Sequence, residues 1–288
     1  MLTDPPDGEP QRLTDDPGCD HHPALSPDGR RLAWAAERDG TVDIFLMELD
    51  RDGDGREVVR LTETPAAERD LCWSSDGKRI YFSAFEYIDY GAYDLQADSR
   101  EELLHLAGAE RGYAAYYYDL ESDAVEPQVV FPGDYRHPVH IAGLGVLCAY
   151  EPWSETVSPF PPGLVLIHDA LACDPYGPLG GRESYRVEDI IRCVDGDLLL
   201  RVVFDEDGNA GTVFLRLDPN RGEIDESWPL TEPDIARAVP DPACDGCGRF
   251  IVATTDNRLG VSDGIFAAKY VHTWLAENAA EPSWVLVE

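Results

Sequence analysis

The sequence predicts an all-β fold: a single β-propeller of five or six four-stranded blades, with one short helical insertion in blade two. Three observations carry the prediction. An offset of 48 residues carries Leu13-Thr14 onto Leu61-Thr62, Pro17 onto Pro65, Ser26 onto Ser74, Asp28-Gly29 onto Asp76-Gly77, Arg31 onto Arg79 and Trp34 onto Phe82, and a repeat period in this range marks propeller blades. Within each copy, apolar runs of strand length are separated by Asp-Gly turns. The 288 residues, 43% hydrophobic and 10% aromatic, suffice for the core of one large all-β domain or two ordinary ones.

Residues 1–8 are expected to be a flexible arm and 9–288 the propeller, with roughly 9–14 an outer strand that closes the ring and removes an unpaired edge. Blade one then runs through an inner strand His22–Ser26, a tight turn Ser26-Pro27-Asp28-Gly29, strands Arg31–Glu37 and Asp43–Leu49, an Asp/Gly loop at 50–55 and an outer strand Glu57–Leu61. That loop lacks the spaced ligands and terminal Glu of an EF-hand, so it reads as a solvated turn. Blade two repeats the pattern with Asp70–Ser74 and Arg79–Phe85. It is interrupted by an insertion at 86–112, in which Ser99-Arg100-Glu101-Glu102 opens a helix that stops near Gly108. It resumes with Tyr113–Leu120 and Gln128–Phe131. Blade three has Val139–Ile141, Gly145–Tyr150, a Pro-rich loop at 151–162 and Leu164–His168. Blade four has Glu188–Cys193, Asp197–Asp205, Thr212–Leu217 and Trp228–Leu230. Blade five has Ala236–Val239, Phe250–Thr254, Gly264–Val271 and Ser283–Val287. A sixth blade would have to lie within 150–185.

These residues resemble the TolB-type propeller repeat, also called PD40 or WD40-like. Its pattern is Leu-Thr, then Pro-x-x-Ser-Pro-Asp-Gly-x-x-Leu-x-Phe, then Asp-Gly-x-x-Asp-Ile-Phe. Leu13-Thr14, Pro23, Ser26-Pro27-Asp28-Gly29, Leu32, Trp34, Asp39-Gly40 and Asp43-Ile44-Phe45 match almost in full. Leu61-Thr62, Ser74, Asp76-Gly77, Ile80 and Phe82 form a second copy, with Ser75 in place of the Pro. The likeness is specific over roughly 12–85 and diffuse beyond. It implies a propeller, commonly of six blades. It implies little about activity, because relatives include envelope-system partners, peptidase propellers and polysaccharide lyases.

The net charge is −33, with only two lysines, Lys78 and Lys269. Such a field repels nucleic acid and anionic membranes and excludes a basic footprint. No apolar run is long enough to cross a bilayer, and the N-terminus lacks a basic and an apolar signal region, so a cytoplasmic location is expected. Seven cysteines in a chain read as cytoplasmic argue against a disulfide framework. Cys244 and Cys247 have zinc-knuckle spacing but no second pair, and read as turn residues. No Gly-x-Ser-x-Gly elbow or phosphate loop occurs.

Aligning the blades places a set of polar residues just before each inner strand, around one mouth of the central channel. The set is Asp20, His21 and His22; Glu68, Arg69 and Asp70; Arg136, His137 and His140; Glu188 and Asp189; and Arg237. The main expectation is a non-catalytic binding module, a monomeric domain without a cofactor, whose partner is a protein or a small anionic ligand held at that mouth. The alternative is a metal-assisted lyase or hydrolase acting on an anionic saccharide or peptide. In it, His21 or His22 with His137 and a carboxylate would hold Mn, Zn or Fe, while Arg69, Arg136 and Arg237 clamp the substrate.

Overall fold

The computed structural model describes residues 12–50, 55–87, 111–128, 133–152, 160, 162–169, 172–176, 185–192, 196–206, 209–229, 235–240, 250–254, 258–262 and 271–277. These form twenty strands in five successive antiparallel units of four, with no helix among the described residues. The first unit is β1 (Asp20–Leu25), β2 (Arg31–Arg38), β3 (Thr41–Leu49) and β4 (Gly55–Arg60). The second is β5 (Ala67–Trp73), β6 (Arg79–Tyr87), β7 (Arg111–Asp119) and β8 (Ala124–Pro127). The third is β9 (Asp134–Ile141), β10 (Gly145–Glu151), β11 (Gly163–Asp169) and β12 (Ala172–Pro175). The fourth is β13 (Tyr185–Arg192), β14 (Leu198–Glu206), β15 (Asn209–Asp218) and β16 (Glu223–Pro229), and the fifth is β17 (Ile235–Pro240), β18 (Phe250–Thr254), β19 (Arg258–Ser262) and β20 (Val271–Glu277). The first two units are joined into one sheet through a single parallel pairing, Val42 with Ala67.

The blades pack face to face because their middle strands are apolar on both sides. Successive side chains of a strand point to opposite faces. In β10, Val146, Cys148 and Tyr150 face the second blade's Tyr81 and Ala115, while Leu147 and Ala149 face Leu198, Leu200 and Val202 of the fourth. In β2, Ala33 meets Trp73, Ile80 and Phe82 of the second blade, and Leu32, Trp34 and Ala36 pack on Phe45 and Met47 on the other face. Double-sided burial explains why these strands read as unbroken apolar runs.

The repeated turn has one construction in both copies. Ser26 Oγ donates to Asp28 Oδ1 at 2.6 Å, and Ser74 Oγ to Asp76 Oδ1 at 2.6 Å. Gly29 and Gly77 close the turns at φ 69° and 70°, a region open to glycine without steric cost. The two turns also stitch neighbouring blades together. Arg31 Nη2 donates to Gly77 O at 2.8 Å, and Trp73 Nε1 donates to Ala24 O at 2.9 Å. Ser75, which stands where the repeat has proline, uses the N–H that proline lacks: it donates to His140 Nδ1 of the third blade at 3.2 Å.

Several expectations are corrected. Residues 12–14 form no strand, so the proposed closing strand is not seen in its described part, and residues 1–11 lie outside the described residues. The insertion is narrower than 86–112, because Glu86 pairs with Gly112 and Tyr87 with Arg111 as strand residues. Its predicted helix falls in 88–110, outside the described residues. The stretch reserved for a sixth blade contains β11 and β12 of the third. The fourth strand of blade two is Ala124–Pro127, earlier than expected, and the third and fourth strands of blade five are Arg258–Ser262 and Val271–Glu277. The inner strands of the first three blades also begin earlier than expected: Asp20, His21, Glu68, Arg69, Arg136 and His137 lie within strands, not before them. Among the described residues no helix is long and apolar enough to cross a membrane.

Candidate functional site

Each inner strand of the first three blades is broken by a bulge at one corresponding place. The pairing register slips between His21 and Ala24 in β1, between Arg69 and Cys72 in β5, and between Arg136 and Val139 in β9. The first residue inside each bulge has a left-handed backbone: His22 at φ 51°, Asp70 at φ 56° and His137 at φ 50°. None is glycine, and a side chain there costs about 1–2 kcal/mol. Bulges re-aim side chains, and here three of them turn three polar groups toward one another.

The result is a chain of alternating imidazoles and carboxylates across four blades. His22 Nδ1 stands 3.2 Å from Asp70 Oδ1, and His137 Nδ1 stands 3.5 Å from that same oxygen. His137 Nδ1 is also 3.4 Å from Asp189 Oδ1 of β13, where a further register slip lies between Val187 and Asp189. The Asp70 side chain is 1% exposed and that of Asp189 6%. Burial would raise the Asp70 pKa, but the charges of His137, Arg69 and His22 outweigh it and hold the carboxyl below its ordinary value. Asp70 Oδ1 accepts no hydrogen bond despite its burial, so its two imidazole contacts are ionic in geometry.

Beside this chain, Arg69 and Arg136 converge on one ring. Arg69 Nη1 donates to the Tyr113 hydroxyl at 3.1 Å, and its guanidinium carbon lies 5.3 Å from the Tyr113 centroid. That of Arg136 lies 4.6 Å from the same centroid. Arg69 Nε approaches Asp70 Oδ2 at 3.3 Å, and Arg136 Nη2 donates to Asp134 Oδ2 at 3.0 Å.

Other residues expected at the mouth are engaged elsewhere. Asp20 accepts from Trp34 Nε1 (3.1 Å), Arg38 Nη2 (2.6 Å) and Thr14 Oγ1 (2.6 Å), all around its own blade. Glu68 is turned away toward the Leu61-Thr62 lead-in, where Thr62 and Thr64 hydroxyls donate to it at 2.5 and 2.9 Å. His140 lies toward the other end of its strand, bound by Ser75 and stacked on Tyr81 with centroids 5.5 Å apart. Burial, then Arg192, lowers its pKa. Glu188 accepts from Arg186 Nε at 2.5 Å. Arg237 falls at the register slip of β17, but its side chain is outside the described residues, as are Cys244 and Cys247.

The imidazoles of His22 and His137 do approach a common point, and Asp70 occupies it. Among the described residues no group of three or more His, Cys, Asp or Glu side chains has the arrangement of a metal cage. Sequence reasoning missed Tyr113 as the link between the two arginines. It also missed the twinned His-Pro steps, His22-Pro23 and His137-Pro138, which mark two of the three bulges.

No protein-family model and no curated protein matches the chain. Solved structures do match. TolB from Acinetobacter baumannii aligns with a TM-score of 0.58 and 15% identity over 88% of this chain. Tricorn protease gives 0.53 and 11% over 90%, and prolyl oligopeptidase B from Galerina marginata gives 0.50 and 9% over 94%. The matched parts are 54%, 26% and 36% of those chains, so this chain spans about half of the TolB structure and less of the other two. At such identities the likeness establishes the TolB-like β-propeller fold and nothing finer.

Proposed function

We propose that this protein is a binding propeller whose ligand or protein partner is seated over the His22–Asp70–His137–Asp189 chain and the adjoining Arg69–Tyr113–Arg136 group. The observation that carries the reading is the repeated bulge. Three blades hold a non-glycine residue at φ 50–56°, and all three side chains meet at one buried point. Strained backbone conformations persist where surrounding structure over-determines them, and they cluster at sites of function. A channel mouth lined merely by solvated polar groups would not require them. Binding without catalysis is favoured because no nucleophile stands beside a free base in this group, and its imidazoles are committed to carboxylates. The alternative reading, a metal-assisted lyase or hydrolase, has no observation in its favour beyond the approach of His22 and His137 to one carboxylate.

A thermal-shift screen of small acids, sugars, amines and short peptides tests the reading, run on the wild type and on His137→Gln. A ligand should raise the melting temperature of the wild type and lose most of that shift in the variant. Shifts that survive His137→Gln, or a panel without a single shift, would remove the support. Metal analysis of the purified protein runs alongside, and a stoichiometric transition metal would reinstate the enzyme reading.

A further inference from the structure

A second tier of residues accompanies the strained one. Immediately before His22, Asp70 and His137 stand His21, Arg69 and Arg136. His21 Nδ1 and Arg136 Nε are buried without a hydrogen-bond partner, and Arg69 Nε meets only Asp70 Oδ2, in an ion pair at 3.3 Å. Buried donors are normally satisfied, and leaving one unmade is costly. Basic residues thus recur at one repeat position in three blades, and two of them converge on Tyr113. The guanidinium groups are also reachable, since the side chains of Arg69 and Arg136 are each 36% exposed.

From this tier, and resting on the binding role above, we infer that the ligand presents a carboxylate to Arg69 and Arg136 where they meet on Tyr113. A planar carboxylate matches the guanidinium fork, and the ring under both arginines fixes their planes in advance. The same surroundings select for a single negative charge. Asp70 and Asp134 already stand against these arginines, and the chain carries −33 overall, so a phosphate dianion meets strong repulsion. A carboxylate of this kind could come from a small organic acid or from the C-terminus of a peptide, and the two sources differ in what extends away from the fork.

Isothermal titration of the full chain decides it, with propionate, tetra-alanine, tetra-alanine amide and inorganic phosphate as probes. Propionate or the free peptide should bind, whichever binds identifying the source, while the amide and phosphate bind at least about tenfold more weakly. Arg69→Gln and Arg136→Gln should each weaken the carboxylate at least about tenfold, and Arg69→Lys and Arg136→Lys should restore part of it, because charge returns without the fork. Arg56→Gln, on the outer strand β4, should change nothing. Circular dichroism of each variant separates lost binding from lost fold. Equal binding of acid and amide, tighter binding of phosphate, unchanged affinity in the arginine variants, or no binding by any carboxylate up to about 10 mM would overturn the inference. If these probes fail while a compound from the thermal screen still depends on His137, the binding role stands and only the ligand class is wrong. If that screen also fails, both fall.

Discussion

Asp70 of the second blade and His137 of the third are joined twice. The His137 backbone N–H donates to Asp70 Oδ2 at 3.4 Å, and its ring Nδ1 lies 3.5 Å from Oδ1. One carboxylate thus holds both the strained backbone and the side chain of its neighbour. It also faces His22 from the first blade and Arg69 from its own. Asp70 is therefore the point through which three blades are tied, and its removal tests structure and site together.

Asp70→Asn should destabilise the protein by about 3 kcal/mol at pH 7, because it leaves Arg69 and two imidazoles around a buried neutral group. The pH dependence has a definite sign. The folded-state pKa of Asp70 lies below its ordinary value of 3.8, so its contribution is complete above that value and is lost as pH falls through the lower folded pKa. Urea midpoints of wild type and variant should differ most near neutrality and converge in strong acid. A constant difference at every pH would contradict this account.

Glu68 should act in the opposite direction. It is buried, and burial is the main cause that pushes its carboxyl from 4.5 up to about 7. The folded state prefers the protonated acid, so its contribution is full below pH 4.5 and disappears as pH rises through about 7. The loss is on the order of 3 kcal/mol. Glu68→Gln keeps one of the two oxygens that the Thr62 and Thr64 hydroxyls meet and removes the titration. Denaturation between pH 5 and 8 should show the wild type weakening with rising pH and the variant nearly flat over the same interval. Parallel profiles would refute the assignment.

Ser75 tests the tie between the second and third blades. Its backbone N–H and hydroxyl both meet His140 Nδ1, at 3.2 and 3.0 Å. Ser75→Pro restores the residue of the first copy and removes both contacts, so it should cost about 1 kcal/mol despite the favourable turn geometry. Ser75→Ala retains the N–H and should cost less. Guanidinium unfolding curves rank the two, and a proline variant more stable than wild type would show that the tie contributes nothing.

The fold was legible wherever chemistry is local. Ser-Pro-Asp-Gly reads as a turn because the serine–aspartate bond and the glycine's positive φ both lie within four residues, and its second copy confirmed the period. The site was legible as a list of residues but not as an arrangement. His22, Asp70 and His137 were named together, yet with Asp20, Glu68 and His140 beside them. What separates the two groups is a one-residue slip of register in each inner strand, and a slip reverses which face a side chain occupies. Composition carries no trace of it. Tyr113 was hidden for another reason. It lies in a run with Tyr116, Tyr117 and Tyr118, and those three pack against Phe82, Tyr81 and the core between blades one and two. Only its place at the start of β7, across from Phe85, brings it to the arginines.

The hairpin that carries Arg136 and His137 offers a last test, in two glycines only two residues apart. Gly143 has φ 79° with no atom within 4 Å of where a Cβ would stand. Gly145 has φ 136°, and a Cβ there would lie 2.3 Å from the backbone oxygen of Ile167 in the adjoining strand β11. Gly143→Ala meets only the left-handed backbone penalty and should cost about 1 kcal/mol. Gly145→Ala must in addition displace backbone from the middle of a paired sheet, and should cost upward of about 3 kcal/mol. The second change also shifts β10 against β9, so it should weaken carboxylate binding at Arg136, whereas the first should leave binding unaltered. Chemical denaturation and titration with the same probe measure both. Equal stability losses at the two positions would mean that the close approach of Gly145 to Ile167 does not hold this hairpin in place.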